Sequence, residues 1–263
     1  MSELIELSQN GAILTLTLNR PEKYNAINDR MLATLYAEVR RFACSDELQV
    51  LLIRGNGTYF SAGADLRSGL VPDFSSRSPR SIRSWLRGSE QSLTPLGELM
   101  EAIEKPIVVA HNGPCVGGAL ELSLSCDFRL ASDSATYLLP ESRLGAVPSA
   151  GGTARLTRMI GPHWARWMII AGQRIDAAKA EAIGLIHAVY PETQFDTEVT
   201  EFCRSLAEMP PEAVGAAKVA IELVTDLGSA AARNVERITT SALVFGEELE
   251  SCMAAAQSRI APK

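Results

Sequence analysis

Apolar and polar residues alternate over Ile13-Leu14-Thr15-Leu16-Thr17-Leu18, with three leucines on one face and threonine on the other. A period of two predicts a half-buried strand, and Pro21 predicts its end. The period then lengthens. Leu32, Leu35, Tyr36, Val39 and Phe42 recur at helical spacing after Asn28 and Asp29, either of which can cap a helix by accepting from a first-turn N–H. Val50-Leu51-Leu52-Ile53 and Ile107-Val108-Val109-Ala110 are short continuous apolar runs bounded by Gly or Pro, the pattern of strands covered on both faces. Phe128-Arg129-Leu130-Ala131 and Leu185-Ile186-His187-Ala188-Val189 read as further strands. Helical patterns lie between them, so the class is α/β.

From about Phe195 the strand pattern stops. Phe195–Met209, Glu212–Thr225 and Ser229–Ser258 are rich in Ala, Glu and Leu with helical periodicity, which divides the chain into a core over residues 1–194 and a helical segment over 195–263. Phe202, Leu206, Val214, Leu223, Val235, Ile238, Leu243, Val244 and Phe245 give this segment more apolar surface than it can bury without a sheet, so part of it is expected at a subunit interface. Ser68 to Pro79 has loop composition and is a candidate lid. Arg77, Arg80, Arg83 and Arg87 read as a solvated face, and Ile82, Trp85, Leu86 and Leu93 as helix core or the wall of an apolar pocket.

Composition narrows the function. A chain of 263 residues with 46% hydrophobic and 21% charged residues is long enough for a substantial core and ordinary for a folded protein. The formal charge of −6 disfavours non-specific nucleic-acid binding. No run reaches membrane-spanning length and no basic, apolar leader opens the sequence, so a cytoplasmic protein is expected. Cys44, Cys115, Cys126, Cys203 and Cys252 are odd in number and widely spaced, which indicates free thiols. His111, His163 and His187 have no acidic neighbour at metal-ligand spacing and read as structural, so no metal is expected.

Two glycine-turn segments carry the chemistry. Phe60-Ser61-Ala62-Gly63-Ala64-Asp65-Leu66 and Asn112-Gly113-Pro114-Cys115-Val116-Gly117-Gly118-Ala119-Leu120-Glu121 each follow a short apolar run. A chain leaving a strand through Gly and Ala can present backbone N–H groups without side-chain obstruction, and fixed donors are what a developing enolate oxygen needs. Glu121 lies one helical turn beyond Gly118. By local pattern alone Glu121 is a first-turn acid complementing the helix dipole, Glu141 a turn residue after Pro140, and Asp65 and Asp127 caps or turn residues. No complete Gly-x-Gly-x-x-Gly, Walker loop or Gly-x-Ser-x-Gly is present, which argues against dehydrogenase, kinase and triad-hydrolase readings.

These segments, with Leu18-Asn19-Arg20-Pro21-Glu22-Lys23-Tyr24-Asn25-Ala26, Cys126 to Ala131, Pro140-Glu141, Leu144 to Pro148 and Gly151-Gly152-Thr153-Ala154-Arg155-Leu156, resemble in order and spacing the crotonase superfamily, the enoyl-CoA hydratases and isomerases. The resemblance covers Leu4 to Pro191 well and the helical segment more loosely. It implies a crotonase-like spiral of ββα units, a C-terminal helical oligomerisation segment serving a homotrimer or dimer of trimers, and acyl-CoA thioester substrates with no cofactor beyond the coenzyme A of the substrate. It assigns oxyanion donors to the backbone N–H groups of Ala64 and Gly118, and the two hydratase acids to Glu121 and Glu141. Coenzyme A and acyl contacts fall to Lys23, Tyr24, Ala62, Asp65, Leu66, Arg67, Gly117 and Ser149. Ser149 departs from the family, which usually has Gly beside the catalytic water, and the ending Ala256 to Lys263 lacks the usual basic, Phe-containing sequence. Both acids present favours a hydratase, with an enoyl-CoA isomerase and a non-catalytic acyl-CoA-binding protein as the alternatives.

Overall fold

The structure, a computed structural model, describes residues 4–68, 78–88 and 92–260, without the side chains of residues 82, 85–88 and 260. Residues 69–77 of the candidate lid, Arg77 among them, and the side chains of Ile82, Trp85, Leu86 and Arg87 therefore lie outside the described residues. Among the described residues nine strands occur in chain order: β1 Ile5–Asn10, β2 Ile13–Leu18, β3 Val50–Gly55, β4 Ile107–His111, β5 Cys115–Val116, β6 Phe128–Ser132, β7 Thr136–Leu138, β8 Ile175–Asp176 and β9 Ala188–Tyr190. The helices are α1 Asp29–Cys44, α2 Pro79–Gly88, α3 Leu93–Ala102, α4 Gly118–Ser123, α5 Gly152–Ile169, α6 Ala177–Ala182, α7 Glu192–Ala207, α8 Pro211–Thr225, α9 Ser229–Val244 and α10 Glu247–Ile260.

A large sheet runs in the order β1-β2-β3-β4-β6-β9, antiparallel only between β1 and β2, and a small sheet runs β5-β7-β8. The chain feeds both in turn. After β4 comes β5 and then α4; after β6 comes β7 and then α5; after β3 the segment at Ser61 bridges in parallel to Cys115 beside the small sheet. Each unit thus sets one strand in the large sheet, a shorter one in the small sheet, and a helix, and the repetition makes the spiral.

The alternation in β2 buries Leu14, Leu16 and Leu18 and leaves the intervening residues half-exposed. Every residue of β4 is buried, as its continuous apolar run requires. Asn28 is the cap of α1, its side chain accepting from the Met31 N–H at 2.9 Å. Phe195, Val199 and Cys203 of α7 seal one face of the large sheet against Val50, Leu52, Val108, Ala110 and Leu130. That helix starts three residues before Phe195 and packs on the sheet, whereas α8, α9 and α10 are mostly exposed. Lys218 fastens α8 to the core, donating to Met100 O, Lys105 O and Asp127 Oδ2. Among the described residues no helix is long and apolar enough to cross a membrane.

Two expectations are corrected. The Ser229–Ser258 pattern is two helices, because the chain breaks at Phe245 and Gly246. Glu248 of the second helix turns back to accept from the free Glu212 and Ala213 N–H groups at the start of α8. The strand read over Leu185–Val189 is only Ala188–Tyr190; Leu185 and Ile186 instead end the turn after α6, donating to Ala180 O and packing in the core.

Candidate active site

Register brings the two glycine segments together. Ser61 pairs with Cys115 as parallel neighbours, the Ser61 N–H donating to Pro114 O at 3.2 Å and the Val116 N–H to Ser61 O at 3.0 Å. Ala64 and Gly118 each lie three residues beyond that pair, so both chains reach the same place after the same number of residues. Gly63, at φ 91°, lies so close to the second segment that a Cβ there would stand 2.6 Å from Val116 O and 3.2 Å from Gly118 N. That crowding, with the left-handed φ, requires glycine. A methyl built on Gly118 would stand 3.7 Å from Ala64 N and 2.6 Å from Leu93 Cδ1. Among the described residues neither the Ala64 nor the Gly118 N–H has an acceptor. Gly118 opens α4, where a free N–H is intrinsic to the helix, and Ala64 follows residues whose own N–H groups are bonded to the Tyr24 carbonyl and the Ser61 hydroxyl.

Glu121 is buried on α4. Its Oε2 accepts from the Ala150 N–H at 2.7 Å and the Gly152 N–H at 3.1 Å, the latter at the start of α5. Its Oε1 accepts nothing among the described residues. Burial, chiefly, pushes this carboxyl up to about 7, with the like charge of Glu141 adding to the rise and the two N–H donors and Arg155 opposing it. Glu141 follows Pro140 in a short 3-10 turn, Glu141–Leu144. Burial raises its carboxyl as well. Its Oε2 is buried with no partner among the described residues, and its Oε1 lies 2.9 Å from where a Cβ on Gly117 would be. Gly117, at φ 55°, is the residue that lets the second segment pass that carboxyl. Five of the predicted residues, Ala64, Gly117, Gly118, Glu121 and Glu141, therefore lie near one another: two open N–H donors and two carboxyls of raised pKa.

The remaining predicted residues lie beside it. Lys23, Asp65, Leu66 and Arg67 line an open cleft with Arg20 and Arg30. The Asp65 carboxylate is committed to the frame of this cleft, bonded to Arg20 Nη1 at 2.7 Å and to the Arg67 N–H at 3.0 Å, and these contacts hold its pKa low. Tyr24, at φ 53°, is more than half exposed with its ring against Tyr59, and its carbonyl accepts the Ala62 N–H at 2.8 Å. Ser149 is exposed beside the turn that holds Glu121. His111 is a buried structural residue, its ring nitrogens 3.0 Å from the Tyr137 hydroxyl and 2.9 Å from that of Ser123; burial depresses its pKa to about 3, so it stays neutral.

Sequence reasoning did not single out Arg20 and Arg30 of the cleft, or Asn25. Asn25 is fully buried, accepts from the Arg20 N–H, and donates to Asn56 O and Tyr59 O at 2.8 Å, fixing the loop before Ala62. The available signal was an Asn after a Tyr in the Arg20 to Ala26 loop, since Asn tolerates the φ of 54° found there.

Residues 8–255 match the model of a family described as enoyl-CoA hydratase/isomerase. The chain is 33% identical over 249 residues to the 2,3-dehydroadipyl-CoA hydratase of Escherichia coli, covering 94% of this chain and 92% of that one. It is 34% identical over 222 residues to a carnitinyl-CoA dehydratase of Salmonella paratyphi A, covering 83% and 80%. Among solved structures it is similar to an enoyl-CoA hydratase subunit from Geobacillus kaustophilus, with TM-score 0.88, 31% identity and 99% and 97% of the two chains covered. It also resembles an enoyl-CoA hydratase from Bacillus anthracis, with TM-score 0.89, 27% identity and 99% and 98% covered. With the family match spanning most of its length and a relative of this identity aligned nearly end to end, the chain belongs to the enoyl-CoA hydratase/isomerase family.

Proposed function

We propose that this protein is an enoyl-CoA hydratase, adding water across the 2,3-double bond of a 2-enoyl-CoA thioester. The observation that carries the reading is the meeting of two acceptor-free N–H groups, Ala64 and Gly118, with two carboxyls of raised pKa, Glu121 and Glu141. Attack of water on Cβ moves charge onto the thioester oxygen, and donors already aimed at that oxygen lower the barrier. A buried carboxyl pair titrates as a unit, so one proton on the pair near neutral pH supplies a base and an acid together. Glu121 is the base: its Oε2 is held by two N–H groups and its Oε1 is uncommitted. Glu141 is the acid, with a buried Oε2 that no donor among the described residues occupies. A water proton goes to Glu121, its oxygen bonds to Cβ, and the Glu141 proton goes to Cα as the enolate collapses; proton exchange then resets the pair.

The coenzyme A phosphates belong in the cleft of Arg20, Lys23, Arg30 and Arg67, next to the oxyanion donors. Exposed Ile221, Leu223, Ile238, Val244, Phe245 and Met253 on the C-terminal helices form the face through which copies assemble, as a homotrimer or a dimer of trimers. Loss of conjugated-enoyl absorbance on adding crotonyl-CoA tests the reading, with Glu121→Gln and Glu141→Gln beside the parent. Thioester binding without turnover would leave a binding protein, and turnover of 3-enoyl but not 2-enoyl thioesters would leave an isomerase.

A further inference from the structure

Arg155 stands in the second turn of α5, and because a helical side chain leans toward its own N-terminus, its guanidinium folds back over the turn preceding the helix. Glu101 of α3 pins it from the other side in a two-pronged ion pair, Nε to Oε1 at 2.5 Å and Nη2 to Oε2 at 2.6 Å. The remaining prong, Nη1, donates to Ala150 O at 2.8 Å. Ala150 is the residue whose N–H reaches Glu121 Oε2 at 2.7 Å. The guanidinium therefore holds one side of the same residue that holds the carboxylate.

Two glycines make room for it. A Cβ on Gly151 would stand 1.8 Å from Arg155 Nη1, and one on Gly97 of α3 would stand 3.4 Å from both Nη1 and Nη2. Gly152 completes the fit, since a Cβ there would stand 2.6 Å from Glu121 Oε2. We propose, resting on the hydratase reading above, that Arg155 is the positioning residue for Glu121: braced by Glu101, it grips the Ala150 carbonyl and keeps the Ala150 and Gly152 N–H groups on Oε2, reserving Oε1 for water. The charged groups bearing on this carboxyl are Glu141 from the turn after β7 and Arg155 from α5, while Glu98 and Glu101 from α3 act on the guanidinium. Arg155 favours ionised Glu121, so removing its charge raises the midpoint at which Glu121 titrates, and neutralising Glu101 lowers it by leaving the guanidinium less compensated.

The test follows the Glu121 carboxyl ¹³C resonance against pH, assigned by its loss in Glu121→Gln, together with crotonyl-CoA turnover. Arg155→Met is expected to raise the midpoint by roughly half a unit or more and to lower kcat about tenfold or more with KM within about threefold, as a misplaced base does. Arg155→Lys restores part of both and stands in should Arg155→Met fail to fold; Glu101→Gln moves the midpoint the other way. A midpoint unchanged in folded Arg155 variants, with kcat within about twofold of the parent, overturns the proposal. A parent that turns over no 2-enoyl thioester counts against the hydratase reading alone, because the resonance still decides whether Arg155 sets the state of Glu121.

Discussion

Glu121 and Glu141 lie close enough for the charge of one to act on the other, but they are held by opposite means. The first is fixed by the Gly152 N–H at the start of α5 and the Ala150 N–H in the turn before it, with Arg155 and Glu101 behind them. The second hangs from a short 3-10 turn, with one oxygen buried and unpartnered among the described residues. Satisfying an oxygen with peptide donors costs little to organise, because the Gly152 N–H, in the first turn of α5, lacks an intrahelical partner anyway. Leaving an oxygen unsatisfied costs stability, and such a group is maintained where its chemistry is needed. The two acids are therefore not duplicates: one is aimed, the other is kept short of donors.

The comparison breaks most visibly in turnover. Glu121→Gln and Glu141→Gln are each expected to lower kcat/KM by about 10³-fold, within the range for lost acid–base catalysis. They should differ in pH dependence. The parent loses kcat/KM as pH falls through about 7, where Glu121 takes up its proton, and Glu121→Gln should lack that limb while Glu141→Gln keeps it. Equal profiles for both variants would dissolve the distinction. Gly118→Ala strikes the donors and neither acid, placing a methyl near Ala64 N and against Leu93, and should lower kcat by about 10²-fold without moving the limb.

Stability sharpens the comparison at smaller scale. Folded Glu121 keeps its proton to about pH 7, whereas the unfolded chain releases it near 4.5, so stability falls as pH rises between those values and stays low above them. Glu121→Gln should therefore recover up to about 3 kcal/mol at pH 8 and almost nothing at pH 4, measured by urea denaturation. Lys218→Met, at a residue that bonds to neither acid, should cost about 1–2 kcal/mol by releasing α8 from Asp127 and two carbonyls, with kcat unchanged.

Much of this was legible before the fold. Val50–Gly55 and Ile107–His111 declare themselves because strands covered on both faces need continuous apolar runs, and Asn28 because a cap is a local device. Glu121 and Glu141 were found through motif order, since as isolated residues each resembles a common surface acid. β5, β7 and β8 are two or three residues long, too short for any period to show. β1 buries only Ile5 and pairs on one side, so its sequence carries almost no alternation. Arg155 stood inside a quoted motif, yet its role depends on Glu101 and Ala150, which only the tertiary structure brings to it. Gly246 ends α9 and three acids open α10, punctuation that the continuous Ala- and Leu-rich pattern concealed.

The parallel bridge at Ser61 and Cys115 has an evolutionary consequence. Strand spacing in a sheet is close to a physical constant of about 4.8 Å, and equal three-residue extensions from a paired register carry that constancy forward to the amides of Ala64 and Gly118. Their spacing is inherited from main-chain geometry and not from any particular side chain. Selection can therefore exchange the side chains around these two amides while the main-chain frame that sets them passes unchanged from one descendant to the next.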